Sequence, residues 1–262
     1  MFTSIRKVAV LLRYLEGFLL KSILLVPFHE RGYEKLAKYL EKISLPVHLP
    51  LPVELCREPI LREWASSGLW GYIRVWSPLM EFLSHYRGHT CYLTLRHFEE
   101  TIDTSIKLLG LVVKAKVFSK IDLSEWLTLI SERVKSSAPT NWSGVLVIDR
   151  FVEYVLLVKR DVMVDYVLQL EEFIPTPLDL LVLVRSSVVN WNCDVKSIIE
   201  WVIKYLGEYV LFSRDLTEAY DMLKKSREYR DLVTNCTSDE LILTSLSSSL
   251  SYHLNTPSKL FF

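Results

Sequence analysis

The chain has 262 residues, and its 31 Lys and Arg residues balance 31 Asp and Glu residues, so the formal net charge is zero. Half of the residues are hydrophobic and 24% are charged, which excludes an intrinsically disordered chain. Proteins that coat nucleic acid without sequence preference need an excess of Lys and Arg, so we expect no nucleic-acid partner. The length fits one large domain or two small ones.

The N-terminal region is apolar enough to raise the question of a membrane span. Charged side chains interrupt residues 8–28 at three positions, so no uncharged run reaches the ~18 residues that a spanning helix needs. No cleavage site of small residues follows it. We therefore expect no membrane attachment, and an extra N-terminal helix in residues 1–21 whose amphipathic part covers 5–20.

The four cysteines stand far apart, at Cys56, Cys91, Cys193 and Cys236. None forms a Cys-x-x-Cys pair, and four are too few for a disulfide framework in a chain of this length. We therefore expect reduced thiols, most of them buried, in a cytoplasmic protein.

Short apolar runs alternate with helical patterns along the chain. The runs at 23–26, 145–148 and 180–184 are continuously hydrophobic, which is typical of strands buried on both faces of a parallel sheet, and 49–55 and 209–212 are weaker candidates. Apolar residues recur with helical spacing in 33–43, 162–173, 195–206 and 216–226. The alternation predicts an α/β fold, a parallel sheet flanked by helices.

The middle of the chain, residues 60–142, differs from the rest because it is rich in aromatic residues and short of strand signals. We interpret it as packed helices, with a base-stacking platform as the alternative. His85, His89 and His97 lie there at helical spacing, but Gly88 and Thr90 weaken a continuous helix, so we expect no metal site. The basic run at 224–230 is typical of a solvated helix end.

Ligands of open α/β sheets bind beyond the carboxyl ends of the strands. The first predicted strand is followed by a segment in the position of a phosphate loop, which normally is rich in glycine and ends in Gly-Lys-Ser/Thr. Here only Gly32 remains, Tyr33 replaces the lysine and Glu34 replaces the hydroxyl residue that binds magnesium. The residues of this degenerate phosphate loop are His29, Arg31, Gly32, Tyr33, Glu34 and Lys35.

Two further strand ends carry charged residues. Arg57-Glu58-Pro59 follows the candidate strand at 49–55, and Asp149-Arg150-Phe151 follows the strand at 145–148. Paired acidic and basic side chains at such an edge suit ligand binding, although each could equally form a surface salt bridge.

In their order, these features resemble the thymidylate kinase family of P-loop nucleoside monophosphate kinases. Residues 164–173 resemble a helix of that family, and 174–180 resemble its Pro-x-Pro-x-Asp-Leu approach to the next strand. Residues 219–223 are similar to its late helix, 231–233 to a last short strand, and 237–240 to the start of a final helix. The resemblance covers residues 22–59 and 143–250. It implies one α/β domain over 1–262, with 60–142 inserted as an expanded helical region between the second and third core strands.

The resemblance also implies roles for individual residues. Arg57 would meet the 5′-phosphate of a dTMP-like monophosphate, Asp149 and Arg150 would border its sugar and phosphate, and Phe151 takes the family's Tyr or His position. The family reaction transfers the γ-phosphoryl group of ATP to dTMP, with magnesium and the loop lysine neutralising the transferred group. The arginine of the base-binding helix would be either Arg96 or Arg133.

Three departures weaken the expectation of catalysis. The phosphate loop lacks its lysine and hydroxyl, unless Arg31 or Lys35 substitutes for the cation. The lid after 180–184 has Arg185 but no further arginine before Arg214. The middle region is about twice the family's usual length.

We therefore expect a thymidylate-kinase-like protein that is non-catalytic or weakly active, with a residual nucleotide pocket and a binding or scaffold role. The first alternative is an active divergent dTMP kinase, and only that alternative requires ATP and magnesium. The second is an unrelated α/β or helical interaction protein. The resemblance implies a homodimer, and the middle region offers a surface for self-association or another protein partner, of which an exposed apolar patch would be the sign.

Overall fold

A computed structural model describes residues 21–57, 70–85, 88–131, 137–160, 162–186 and 192–236. The expected N-terminal helix at 5–20, Glu58, Pro59, Arg133 and the expected helix start at 237–240 lie outside these residues. Among the described helices, none combines the length and the apolar character that crossing a membrane requires.

The core of the fold is a five-stranded sheet in which all pairs of neighbouring strands are parallel. Its strands are β1 (Lys21–Leu25), β2 (Val47–Pro52), β3 (His89–Leu93), β4 (Gly144–Ile148) and β5 (Tyr166–Gln169). Their order across the sheet is β3-β2-β4-β1-β5. The predicted parallel α/β architecture is therefore confirmed.

Helices connect the strands and cover both faces of the sheet. Between β1 and β4 lie α1 (Glu30–Leu40), α2 (Val53–Arg57), α3 (Trp70–His85), α4 (Leu95–Phe118) and α5 (Leu123–Ser131). After β4 come α6 (Phe151–Val158), α7 (Pro177–Ser186), α8 (Val195–Lys204), a π-helical segment (Tyr205–Val210), α9 (Leu216–Lys225) and α10 (Arg227–Cys236). The helices predicted at 33–43, 195–206 and 216–226 are thereby confirmed.

The central strands are hydrophobic throughout because both of their faces are buried. In β1, Ile23 and Leu25 face the larger core, which α4 to α10 complete, whereas Leu24 faces a second core with α1 and α3. In β4, Leu146 and Val147 divide between the two cores in the same way. This burial on both faces is the reason why the two strands could be recognised from uninterrupted apolar runs.

The third predicted strand, 180–184, is instead part of helix α7. The reason is visible at the start of the helix, where Pro177 takes the first helical position, which tolerates its missing N–H. The N–H and hydroxyl of Thr176 both donate to Asp179 Oδ2, at 2.8 and 2.7 Å, and the N–H of Asp179 donates to Thr176 Oγ1 at 3.2 Å. This reciprocal cap starts a helix, and a short apolar run alone does not distinguish a strand from a buried helix.

Four other assignments also need correction. A helix was expected at 162–173, but this segment contains strand β5 (Tyr166–Gln169), which pairs with β1. Residues 209–212 and 231–233, expected as strands, are helical. Strand β3 was missed within 60–142, because at this edge of the sheet its residues are only partly buried and form no apolar run. The described part of 60–142 thus contains α3, α4 and α5 and this edge strand.

The expectation of reduced thiols is wrong, because all four cysteines form disulfides. Cys56 in α2 is bonded to Cys91 in β3, with Cα atoms 6.0 Å apart, and Cys193 is bonded to Cys236 at the end of α10, with Cα atoms 4.8 Å apart. The partners are separated by 35 and 43 residues, so only the pairing of β2 with β3 and the packing of α8 and α10 bring them together. The cytoplasmic location expected from the sequence rested on reduced thiols and loses that basis.

Candidate functional site: the crevice between β1 and β4

The strand order places the carboxyl ends of β1 and β4 side by side, and we call the region beyond these two strand ends the crevice. These strands are neighbours, but the chain leaves β1 toward β2 on one side and leaves β4 toward β5 on the other. The connection from β1 passes β4 and the connection from β4 passes β1, so two neighbouring strands are left in opposite directions, and ligands of open α/β sheets bind at such switch points. The degenerate phosphate loop follows β1, and Asp149-Arg150-Phe151 follows β4, so the structure brings both predicted segments to the same crevice.

The loop between β1 and α1 is only four residues long, from 26 to 29, and the helix begins two residues before Gly32. His29 caps this helix: its Nδ1 atom accepts a hydrogen bond from the N–H of Gly32 at 3.0 Å, and its carbonyl accepts one from the N–H of Tyr33 at 3.2 Å. The N–H of Arg31 donates to Thr217 Oγ1 at 3.2 Å. A phosphate site needs such amides to point at the ligand, but these three already have protein acceptors.

Gly32 has a packing role. A Cβ atom at this position would lie 2.4 Å from the carbonyl oxygen of Pro27, so only glycine lets the first turn of α1 approach the loop. Close contact between the backbone of α1 and the backbone at Pro27 thus explains why position 32 is a glycine, without any ligand.

Tyr33, which stands at the lysine position, is completely buried and crosses the crevice. Its hydroxyl donates a hydrogen bond to Oδ2 of Asp149 at 2.7 Å. Burial, reinforced by the nearby Asp149 carboxylate, raises the pKa of Tyr33 well above its usual value. Burial also raises the pKa of Asp149 to about 6, although the Arg150 charge and the Tyr33 hydrogen bond act in the opposite direction.

Of the three residues after β4, only Arg150 reaches solvent to a substantial extent. Its guanidinium, about a third exposed, pairs with the buried carboxylate of Glu153, which also accepts hydrogen bonds from the N–H groups of Ser137 and Ala138. Asp149 is buried, and Phe151 belongs to the larger core, where its ring centroid lies 5.6 Å from that of Phe173. The guanidinium of Arg150 is therefore the group of this segment that could contact a ligand.

Glu171, just after β5, contacts three basic side chains from the loop and from the first turns of α1. It lies 2.7 Å from Nε2 of the buried His29, 2.6 Å from Nζ of Lys35 and 3.4 Å from Nε of Arg31. Burial tends to raise the pKa of Glu171, but its contacts with His29 and Lys35 overcome this and lower it to about 2.

Arg31 has a second carboxylate partner in Asp221 of α9. The guanidinium makes two hydrogen bonds to the carboxylate, at 2.9 and 2.6 Å, and the hydrogen bond from Arg31 holds the pKa of Asp221 well below its usual range. The two residues considered as substitutes for the missing phosphate-loop lysine, Arg31 and Lys35, are thus both paired with carboxylates.

The remaining predicted site residues are more scattered. Arg57 ends α2 at the carboxyl end of β2, a strand that neighbours β4. Glu34 is exposed, Arg96 pairs with Glu100 on the surface of α4, and Arg185 lies in the last turn of α7. Three residues of this region were not predicted from the sequence: Glu171, Asp221 and Thr217. Glu171 lies in the segment that was wrongly expected to be a helix. Asp221 and Thr217 lie in a segment to which no functional role was assigned.

The described residues offer no group of three or more His, Cys, Asp or Glu side chains that could hold a metal ion. His85, His89 and His97 lie on α3, β3 and α4, not on one helix face. The loop residues also do not fit a magnesium-bound triphosphate, because the N–H groups of Arg31, Gly32 and Tyr33 are already bonded and Tyr33 supplies no cation. No step through such a group can be derived from this site.

Comparison with known protein families finds no family that matches this chain, and comparisons with curated proteins and with solved structures find no match either.

Proposed function

We propose that this chain is a non-catalytic protein on a fold of the P-loop kinase type, and that it acts by binding and not by phosphoryl transfer. The observation that carries the proposal is the hydrogen bond between Tyr33 and Asp149, which closes the crevice where the phosphates of a kinase substrate would lie. The kinship with thymidylate kinases is part of the proposal and rests on the order of the sequence segments.

The charges around the loop support the absence of catalysis. In phosphoryl transfer the protein mainly positions the reactants and stabilises the developing negative charge. Arg31 and Lys35 would have to leave Asp221 and Glu171 to do this, and an incoming phosphate would meet both carboxylates. An active divergent dTMP kinase that uses ATP and magnesium remains the alternative, and it requires this rearrangement.

The residual pocket that we propose is smaller than the resemblance implies. Asp149 cannot border a sugar while it is buried under Tyr33. Arg150 is also paired with a carboxylate, but Glu153 accepts further hydrogen bonds from the backbone N–H groups of Ser137 and Ala138, so Arg150 is not its only partner. We therefore propose Arg150 as the main anion-binding residue, together with Arg57 at the carboxyl end of β2, two strands away from β1. A single phosphate group suits two arginines. The proposed ligand is therefore a nucleoside monophosphate similar to dTMP, and not ATP.

Two measurements on the full chain test this proposal. In a coupled assay with ATP, magnesium and dTMP we expect no turnover above background, and turnover of ~1–100 s⁻¹ would establish the kinase alternative. In calorimetric titrations we expect binding of dTMP and none of ATP. Arg150→Ala should abolish the dTMP signal, whereas Arg160→Ala, which removes an exposed cation beyond the other end of α6, should leave it unchanged. ATP binding, or no effect of Arg150→Ala, would contradict the proposed pocket.

The location that we propose follows from the cysteines. Disulfides persist in oxidising compartments and in the cytoplasm of some hyperthermophiles, and are rare in an ordinary reducing cytoplasm. We therefore replace the expectation of an ordinary cytoplasmic protein with maturation in an environment where both disulfides form.

A further inference from the structure

Helix α4 carries a row of exposed apolar side chains. Among the described residues ten large apolar side chains are exposed, and five of them belong to this helix. Four of the five recur at helical spacing and form what we term the α4 stripe: Ile106 (63% exposed), Leu109 (51%), Val113 (61%) and Val117 (66%). The stripe lies within residues 60–142, where an exposed apolar patch was the expected sign of an association surface.

The stripe is not a consequence of loose packing of the helix. The opposite face of α4 is buried, with Leu108, Leu111 and Val112 in the larger core. The helix is further held by Lys116, which bonds Glu208 at 3.0 Å, and by Lys114, which bonds Glu125 at 2.6 Å. A helix that is anchored on one side and apolar on the other has a second face available for packing.

Gly110 lies beside the stripe, between Leu109 and Val113. A Cβ atom added to Gly110 would meet no atom within 4 Å, so the space above it is open. A glycine at this point lets the backbone of a second helix come close to α4.

We propose that the α4 stripe binds the α4 stripe of a second copy of this chain, with the two helices antiparallel. In one antiparallel register, Gly110 of one copy faces Val113 of the other, so that a large side chain enters the space above the glycine. The same register places Ile106 against Val117. A two-fold axis generates each of these contacts twice, as a self-complementary interface requires.

The charges along α4 favour this orientation. Asp103 is exposed near the amino end of the stripe and Lys120 is exposed just beyond its carboxyl end. The antiparallel pairing brings Asp103 of each copy to the end of α4 beyond which Lys120 of the other copy lies, after the left-handed Ser119 that ends the helix. This pairing also opposes the two helix dipoles. A parallel pairing would instead place Asp103 beside Asp103. The same register places Lys107 of one copy opposite Lys116 of the other. Repulsion between them is small, because the two side chains project from opposite flanks of the helix and Lys116 forms an ion pair with Glu208.

The size of the interface sets the strength of the proposed association. One pair of stripes, each about three helical turns long, buries less than the ~1,200 Å² of a standard stable interface. The dimer should therefore be weak and concentration-dependent, with a Kd in the range of roughly 1–100 μM. The proposal does not depend on whether the β1–β4 crevice binds a nucleotide.

Sedimentation equilibrium of the full chain at increasing concentration tests the proposal. We expect a monomer–dimer equilibrium, which Val113→Glu weakens by at least ~10-fold, because a charge would be buried at the centre of the interface. Met163→Glu is the matched control: it puts the same charge at a residue that is 75% exposed and outside the stripe, and it should leave the equilibrium unchanged. Circular dichroism verifies that both variants are folded, as expected for exposed positions.

A charge exchange then tests the antiparallel orientation. Asp103→Lys should weaken the dimer, and the double variant Asp103→Lys with Lys120→Asp should restore it. A monomer at all concentrations would overturn the proposal, whether another protein or residues 1–20 cover the stripe. So would a dimer that Val113→Glu leaves intact, or a double variant no stronger than Asp103→Lys alone.

Discussion

The hydroxyl of Tyr33 donates a 2.7 Å hydrogen bond to the carboxylate of Asp149, and through it helix α1 is tied to the end of strand β4, 116 residues later in the chain. Both residues are buried, so the bond forms where water cannot replace either partner. A residue that departs from the phosphate-loop pattern thus has a definite structural role.

The first prediction concerns the Tyr33 hydroxyl. Tyr33→Phe leaves a buried carboxylate without its donor, so we expect the free energy of unfolding at pH 8 to fall by about 1–3 kcal/mol. The loss should be smaller at pH 5, below the pKa of about 6 of Asp149, where the carboxyl is neutral. Urea denaturation at the two pH values measures both effects.

Tyr39→Phe is the control for this change. Among the described residues no hydrogen-bond partner is found for the Tyr39 hydroxyl, so its removal should alter stability little. An equal loss in the Tyr33 and Tyr39 variants would contradict the role assigned to the bond.

The second prediction concerns the pH dependence that Asp149 introduces. Its folded pKa of about 6 lies above the unfolded value of ~3.9, so between these values the folded state binds more protons and the Asp149 contribution to stability declines as the pH rises. Asp149→Asn removes this decline and can still accept the Tyr33 hydrogen bond. The stability of the variant relative to the natural chain should therefore rise by about 2–3 kcal/mol from pH 4 to pH 7. Denaturation curves at one-unit intervals measure the difference, and a flat difference would refute the raised pKa.

The parallel architecture and the strands β1 and β4 could be predicted from the sequence, whereas the contacts in the crevice could not. The runs in β1 and β4 are apolar because both faces of each strand are buried, so pattern and structure agree there. The run at 180–184 misled because its helix start depends on Thr176 and Asp179, and β5 was missed because its ladder has only four residues. The absence of the phosphate-loop lysine is visible in the sequence. The hydrogen bonds from Tyr33 to Asp149 and from Lys35 to Glu171 are not, because each joins residues more than 110 positions apart in the chain.

The third prediction concerns Glu171. Its folded pKa of about 2 lies below the unfolded value, so its contribution to stability is present at neutral pH and is lost as the pH falls from ~4.5 to 2. Glu171→Gln should lower stability at pH 7 by about 1–2 kcal/mol, a modest amount because Lys35 and Arg31 are partly solvated, and should abolish this part of the acid dependence. Acid titration followed by circular dichroism measures it. Glu172→Gln, at the more exposed neighbour that pairs with Arg230, should change both quantities less, and equal effects would argue against a special role for Glu171.

The fourth prediction concerns the disulfides. The chain purified without reductant and then denatured should expose no titratable thiol, and reduction should raise its mass by about 4 Da, because each disulfide takes up two hydrogen atoms. The closed loops of 35 and 43 residues constrain the unfolded chain, so reduction of each bond should cost about 3–4 kcal/mol of unfolding free energy. Cys56→Ser and Cys193→Ser separate the two contributions, and each variant should expose one thiol, that of the remaining partner. Four free thiols in the purified chain would contradict both disulfides. They would also support the original expectation of reduced cysteines in an ordinary cytoplasmic protein.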